Sequence, residues 1–321
     1  MSYDIIGDIH GEAGKLEALL RKLEYSERAG CWMHPSRTAI FVGDFIDRGP
    51  EQMETIRLVR PMVEEGRALA IMGNHEFNAI AWHTPDPDAH GEYLRPRFRG
   101  SVGTKNRKQH QRFLDEVEDD PATHADLIVW FKTLPLWLEL SGLRVVHACW
   151  HERFMDYLAP MLGPRQTLPD ALLGPATREP HDKDEKDTPT PSIFKAAEAL
   201  TKGTEMPLPE GLWFVDNDGE RRDRVRVRWW DSGAETYRQA ADLADELRDR
   251  VPDAPIPSHA RITVPADRPI FFGHYWMTGQ PAPFSPTLAC VDYSAAKNGP
   301  LVAYRWDGET SLNAGHFVSA G

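Results

Sequence analysis

Short apolar runs in this chain halt repeatedly at a residue able to hold a metal. Ile5-Ile6 ends in Gly7-Asp8, Phe41-Val42 in Gly43-Asp44, Ile71-Met72 in Gly73-Asn74 and Phe271-Phe272 in Gly273-His274, while Val145-Val146 runs straight into His147. A brief run of β-branched and aromatic residues stopped by Gly predicts a buried strand that turns sharply at the rim of a sheet. Between these strands the period changes. Leu16, Leu19, Leu20 and Leu23, then Ile56, Val59 and Val63, recur at helical spacing, so residues 3–75 read as strand alternating with helix, the order that builds a parallel sheet through crossovers. Pro61 is expected to kink or shorten the second helix.

Further along, Phe113 and Val117, and then Leu127, Ile128 and Phe131, mark two more amphipathic helices. Leu138–Leu140 and Arg144–His147 predict a hairpin across Ser141-Gly142. Residues 177–191 are rich in Asp, Glu, Lys, Thr and Pro and read as a mobile charged loop. A helix over 192–202 should end at Gly203, with a hairpin turning at Asp216-Asn217-Asp218-Gly219 behind it. Leu288–Asp292, Leu301–Trp306 and the segment after Asp307-Gly308 predict an antiparallel closing sheet. The expected organisation is a core of residues 1–150 and 266–321, interrupted by a cap-like insertion at 151–265 over the site.

Composition narrows the class. With 321 residues, 41% of them hydrophobic, the chain can bury one large core. The excess of 49 acidic over 37 basic side chains, a net charge of −12, argues against nucleic acid or an anionic membrane as partner. The chain enters a strand directly after Met1-Ser2, with no room for a signal peptide, and contains no apolar stretch of membrane-spanning length; the expected location is cytoplasmic. Cys31, Cys149 and Cys290 are odd in number and widely spaced, which predicts buried free thiols in a reducing compartment.

The chemistry lies at the strand rims. Asp8 and His10 stand at i and i+2 of an extended segment, so both side chains project to one side and can chelate one ion. Asp44 can bridge two cations, Asp47 follows three residues on, and Arg48 suits bidentate contact with phosphate. Asn74 adds an amide oxygen, and His75 an imidazole beside it. With His147 and His274 the set offers carboxylate, imidazole and amide donors but no thiolate, which suits a pair of divalent ions such as manganese, iron or zinc. Strand alternation in Arg224-Val225-Arg226-Val227-Arg228 places three arginines on one face, able either to collect phosphate or simply to face solvent. His34, His83, His90, His110, His124, His151, His181, His259 and His316 lie outside these motifs and read as ordinary polar or packing residues.

The blocks Gly7-Asp8-Ile9-His10-Gly11, Gly43-Asp44-Phe45-Ile46-Asp47-Arg48-Gly49 and Gly73-Asn74-His75-Glu76, with the two later histidines, resemble the phosphoprotein-phosphatase branch of the calcineurin-like metallophosphoesterases. Phe131–Leu136, Val291–Ser294 and Leu301–Tyr304 are similar to that family too; residues 151–265 are not. The resemblance implies an α/β fold, a four-layered αββα sandwich, and two divalent ions with manganese foremost. Asp8, His10 and Asp44 would hold one ion, and Asp44, Asn74, His147 and His274 the other.

It further implies direct attack on phosphorus by a hydroxide shared between the ions. Arg48 would bind the phosphoryl oxygens, His75 would protonate the leaving oxygen with Asp47 holding its ring, and Glu76 would support them from behind. A second phosphate-binding arginine is expected between the last two histidines; Arg221, Arg222, Arg224, Arg226, Arg228 and Arg261 all qualify, with Arg226 and Arg228 foremost. Trp276 stands where a related branch has a second histidine, and His147-Ala148-Cys149-Trp150 departs from the usual His-Ala-Gly or His-Gly-Gly. The expected activity is hydrolysis of phosphoric monoesters on Ser/Thr phosphoproteins. Dinucleoside polyphosphates, as for the symmetrical bis(5'-nucleosyl)-tetraphosphatases, are the alternative substrate, and a phosphorylated metabolite or nucleotide fits the same chemistry. A non-catalytic phosphoprotein-binding module is the rival of a different class; it has no use for His75 as a proton donor.

Overall fold

The computed structural model describes residues 2–180, 182–215, 219 and 221–321. Strands β1 (Ser2–Ile6), β2 (Arg37–Phe41) and β3 (Ala68–Ala70) are linked by helices α1 (Ala13–Lys22) and α2 (Gln52–Glu64). Helices α3 (Asn74–His83), α4 (Gly100–Val117) and α5 (Pro121–Phe131) lead to the hairpin β4 (Trp137–Glu139) and β5 (Arg144–Val146). Next come α6 (Glu152–Leu158), α7 (Asp170–Thr177), a helical turn α8 (Lys183–Lys186) and α9 (Ile193–Lys202). The short strands β6 (Glu205–Pro207) and β7 (Arg224–Arg226) pair with each other, and β8 (Ile270–Phe272), β9 (Leu288–Cys290), β10 (Leu301–Trp306) and β11 (Phe317–Ala320) follow.

Two sheets result. The first has the order β11-β10-β1-β2-β3 and the second β9-β8-β5-β4. Strands β1, β2 and β3 run parallel, as do β5, β8 and β9, so the ends of the strands that carry Asp8, Asp44 and Asn74 share one rim, and those of His147 and His274 share another.

Side-chain alternation explains the layering. Ile5, Ile40, Val42 and Ile71 from the first sheet meet Val145, Phe271, Ala289 and Val291 from the second in one buried cluster. Their neighbours Ile6, Ala39, Phe41, Val146 and Phe272 point the other way, into the cluster that includes Leu16, Leu19, Leu20, Ile56 and Val59 of the helices. Trp229 and Trp230 pack on the outer side of the second sheet, with ring centroids 4.7 and 5.5 Å from that of Phe272. The Ala148 N–H donates to the Leu200 carbonyl of α9 on the same side. The core is therefore an α/β sandwich of sheet on sheet with helices outside, and each buried Ile or Leu stabilises it by roughly 1.5–3 kcal/mol.

Several local expectations change or sharpen. Leu288–Cys290 does not join an antiparallel closing sheet; it pairs in parallel with β8, while β10 and β11 extend the first sheet antiparallel. The chain crosses between the sheets at 291–300, which the sequence does not mark because both neighbours offer equally apolar edges. Pro61 lies inside α2, which continues to Glu64; the ring sits in the last turn, where few residues remain to be disturbed. The expected hairpin turn at 216–218 lies outside the described residues, as does His181, although Phe214–Val215 and Arg221–Arg222 pair antiparallel on either side of that turn.

Helices α6, α7 and α9 bury Phe154, Leu158, Leu173 and Leu200 in the large cluster shared with the helices of the first 150 residues. Met206, Val225, Val227, Ala240, Ile256 and Ala260 make a separate small cluster. All three cysteines are buried and free. No helix among the described residues is long and apolar enough to cross a membrane.

Candidate metal centre

The loops beyond the strand rims are bent into conformations that side chains seldom adopt. His10, Asp44, Asp47, Arg48 and His274 have φ of 51°, 54°, 69°, 74° and 74°, each costing on the order of 1–2 kcal/mol for a residue with a Cβ. Surrounding hydrogen bonds hold them there. The N–H groups of Ile9 and His10 donate to the Asp44 carbonyl, that of Gly11 to Phe45, and that of Gly49 to His10, so the first two loops are stitched together.

Buried Glu76 fastens the third loop, accepting from the N–H of Asp44 (2.8 Å), Phe45 (2.8 Å) and Gly73 (3.0 Å). Burial, and after it the nearby Asp44 charge, pushes its carboxyl up to about 7. Two glycines of the motifs are required by close approach: a Cβ on Gly73 would lie 2.2 Å from Asp44 Oδ1, and one on Gly273 would lie 2.1 Å from Asp8 Oδ1. Glu76→Gln keeps the shape but exchanges one accepting oxygen for a donor, leaving at least one buried N–H unpaired. This variant is expected to lose about 1–3 kcal/mol in urea unfolding and on the order of 10–100-fold in metal affinity.

Four of the other five expected ligands meet around Asp44, and His75 joins them. His10 and His75 form one group with it and His147 and His274 a second, the ligand atoms within each group lying within 4.8 Å of one another. Asp44 is common to both. Its Oδ2 is 3.5 Å from His10 Nε2, 3.4 Å from His147 Nε2 and 4.0 Å from His75 Nε2. Asn74 Oδ1 joins the second group, 3.2 Å from His147 Nε2. Asp8 belongs to neither group by that distance; its Oδ2 accepts the His274 N–H at 2.9 Å, and Asp44 and His147 lie within reach of its charge.

The donor set fits divalent cations. Asp8 Oδ1, His10 Nε2 and His274 Nε2 are buried with no hydrogen-bond partner, a costly state that a bound cation relieves. Backbone carbonyls fix the rings: His10 Nδ1 donates to Ile46 O at 2.9 Å and His147 Nδ1 to Val42 O at 2.8 Å, so each Nε2 faces the centre. Burial, and then the neighbouring His75, holds His10 down at about 3, leaving the Nε2 lone pair free. At His147 burial acts downward but is outweighed by Asp44 and Asp8, which lift it to about 10. Burial opposes ionisation of Asp44, yet His147 and His75 hold its carboxyl well below the usual range. The Asp44 charge is thus balanced by protonated His147, and a bound cation would take over that role.

Beside this centre, His75 Nδ1 donates to Asp47 Oδ2 at 2.6 Å. Asp47 also holds a histidine that sequence reasoning left among packing residues: His110 Nδ1 lies 2.8 Å from Oδ1. Burial works against the Asp47 charge, but His110 and His75 together keep its carboxyl far below the ordinary value. No local pattern on α4 announces His110, because its partner lies 63 residues earlier. Gln52 was missed as well; it accepts the Asp47 N–H at 2.6 Å and donates to the Gly49 carbonyl at 2.6 Å. Asp292 accepts the N–H of Trp276 and of Ser294 at 2.7 and 2.9 Å, anchoring the loop after His274.

Arg48 is exposed, its guanidinium 4.0 Å from the Trp276 ring centroid, and Lys297 Nζ lies 3.6 Å from the same ring. Trp276, which replaces a histidine in the related branch, thus carries cations at the mouth, 6.3 Å from the His10 ring. The expected alternation of β7 holds, with Val225 and Val227 buried and Arg224, Arg226 and Arg228 half-buried. The three part company beyond it. Arg226 Nε donates to the Lys202 carbonyl at 2.9 Å and its charge reaches His274. Arg226 and, less strongly, Arg228 also lie within reach of the Asp242 charge, and Arg224 pairs with Asp187 at 2.7 Å.

This chain belongs to the calcineurin-like phosphoesterases, whose family model matches residues 1–185. Among curated relatives, the asymmetrical bis(5'-nucleosyl)-tetraphosphatase PrpE of Oceanobacillus iheyensis is 47% identical over 152 residues, 46% of this chain and 55% of that protein. Its namesake in Halalkalibacterium halodurans is 47% identical over 76 residues, 23% of this chain and 31% of that protein. The chain therefore matches about half or less of the length of these relatives. A solved protein serine/threonine phosphatase from Saccharomyces cerevisiae aligns over 99% of this chain and 78% of its own, at 15% identity and a TM-score of 0.48.

Proposed function

We propose that this protein is a metal-dependent hydrolase of phosphoric esters or anhydrides. The observation that carries the reading is Asp44, one carboxylate shared by two converging sets of ligand atoms, the layout of a dinuclear hydrolytic site. Asp8, His10, Asp44, Asn74, His147 and His274 would hold two divalent ions, for which manganese is the first choice and iron or zinc the next. Bound there, the ions supply Lewis acidity, both to acidify an attacking water and to neutralise charge at phosphorus.

The protein's own groups do the rest. Arg48 at the mouth offers a planar fork to two phosphoryl oxygens and is held ready by Trp276. Arg226, anchored on Lys202 and with its charge reaching His274, is the second candidate clamp, and Arg228 comes after it. Asp47 accepts from Nδ1 of His75 and so aims Nε2 inward, where it can pass a proton to the leaving oxygen. Glu76 and Gln52 keep the loops that carry these groups in their bent conformations.

Dinucleoside polyphosphates are the substrate class we place first, supported by the likeness to the two bacterial bis(5'-nucleosyl)-tetraphosphatases. Ser/Thr phosphoproteins are the second reading, supported by the three complete motif blocks in residues 7–76. Turnover of diadenosine tetraphosphate against a phosphopeptide by manganese-loaded protein separates them; turnover of neither removes both. Ligation of ions by groups that are buried only in the folded state also predicts a thermal effect. Manganese at a hundredfold excess over its Kd should stabilise by about 2.7 kcal/mol, visible as a rise of several degrees in Tm that chelator reverses. An unchanged Tm with manganese would count against the centre.

A further inference from the structure

Two imidazoles hold Asp47, that of His75 beside the metal centre and that of His110 on helix α4. His110 Nδ1 lies 2.8 Å from Asp47 Oδ1 and 3.0 Å from Oδ2, while His75 Nδ1 lies 2.6 Å from Oδ2. An ionised carboxylate can only accept, so both Nδ1 atoms carry hydrogen and both donate. The assembly is out of water, with Asp47 and His110 each 2% exposed and His75 6%. His110 Nε2 is buried with no hydrogen-bond partner, and the ring centroid lies 5.0 Å from that of Phe113 and 5.9 Å from that of Trp82. An imidazole packed among aromatic rings gives up hydration that a phenyl ring would not have to lose; what offsets the loss is its bond to the carboxylate that holds His75.

Asp47 needs such support. The last torsion of an aspartate has broad wells, so one donor on Oδ2 leaves the carboxylate plane free to turn, and a second donor on Oδ1 fixes it. The backbone beneath is bent as well, with φ of 69° at Asp47 and 74° at Arg48. Helix α4 braces the same loop at a second point. Glu116, further along α4, accepts the N–H groups of Gln52 and Met53 at 2.8 Å each, at the start of α2, and Gln52 accepts the Asp47 N–H at 2.6 Å. Arg95 also lies within reach of the Asp47 charge, and its Nη2 donates to Gln109 of α4 at 2.8 Å. One helix thus secures Asp47 through side chain and backbone alike.

We propose that His110 is a positioning residue for the proton given to the leaving group: through Nδ1 it fixes the Asp47 carboxylate, and Asp47 in turn keeps the His75 ring aimed with Nε2 toward the reacting phosphate. The assignment rests on the phosphoesterase reading and deepens it. His110 touches neither substrate nor metal, so its removal should cost most where the leaving oxygen is basic and must be protonated as it departs, and little where it leaves readily as an anion.

The test compares kcat for phenyl phosphate with kcat for p-nitrophenyl phosphate in manganese-loaded wild type, His110→Phe, His110→Asn and Lys108→Gln, the last an exposed position on α4 that serves as control. His110→Phe should lower the phenyl to p-nitrophenyl ratio by about tenfold or more, with KM for p-nitrophenyl phosphate and metal content unchanged. His110→Asn, whose amide nitrogen stands near the place of Nδ1, should recover part of the loss, and Lys108→Gln should show none. Proton NMR of zinc-loaded protein gives a readout independent of turnover: the two ring N–H protons bound to Asp47 should appear as separate downfield signals, of which His110→Phe removes one and shifts the other. A folded His110→Phe protein whose ratio stays within twofold of wild type, which loses both rates equally, or in which the His75 signal does not move, overturns the role of His110 alone. If His110→Phe does not fold, His110→Gln, whose amide nitrogen reaches toward the place of Nε2, must lower the ratio or the role is rejected. Wild-type protein that hydrolyses diadenosine tetraphosphate but neither aryl phosphate also rejects it, whereas turnover of none of the three overturns the phosphoesterase reading itself.

Discussion

Asp44→Asn should leave a protein that binds at most one metal ion and has lost on the order of 10³-fold or more in turnover. The size of the effect follows from position. Asp44 Oδ2 is within 3.5 Å of both His10 Nε2 and His147 Nε2, and Oδ1 accepts the His75 N–H at 3.0 Å, so one carboxylate links both ligand groups and the first turn of α3. An amide preserves the shape yet removes the negative charge that two cations would share, and turns one of the two oxygens into a donor. Elemental analysis of dialysed protein, read beside steady-state rates on diadenosine tetraphosphate, measures both losses. Two retained equivalents of metal with undiminished turnover would remove Asp44 from the centre of the mechanism.

His75→Ala should have the second largest effect, and one that depends on the substrate. A positioned proton donor contributes about 10²–10⁴-fold when the leaving oxygen is basic and far less when it departs readily as an anion. The variant should therefore fail on alkyl phosphates and nearly keep its rate on p-nitrophenyl phosphate, with metal content unchanged. His75 Nδ1 is held by Asp47 at 2.6 Å, so Asp47→Asn should show the same dependence in weaker form. Equal losses on good and poor leaving groups would show that His75 acts on the metal site and not on the proton.

The strand-Gly-ligand pattern carried most of the architecture because it joins two independent constraints. A strand buried on both faces must be apolar at every position, as Ile5-Ile6 and Phe271-Phe272 are, and the glycine after it must allow a neighbouring carboxylate to approach, as Asp44 does at Gly73 and Asp8 at Gly273. Both leave a local mark in sequence. His110 and Gln52 leave none. His110 acts across 63 residues and Gln52 through two bonds that exist only once the loop before it is bent, and a polar residue on an amphipathic helix such as α4 looks the same whether it faces water or Asp47. The pairing partner of Leu288–Cys290 was hidden for a related reason: parallel and antiparallel neighbours select the same β-branched and aromatic residues, and only the path of the chain between them decides.

Strand β1 lies inside the first sheet only because β10, from residues 301–306, docks along one of its sides. A ribosome must therefore pass residue 306 before this strand is covered on both sides. Until then Ser2–Ile6 offers an open row of amide and carbonyl groups to any other extended segment nearby. Truncation products ending before residue 301 should consequently collect in inclusion bodies, and chaperone demand during synthesis should fall once residues 301–306 have emerged.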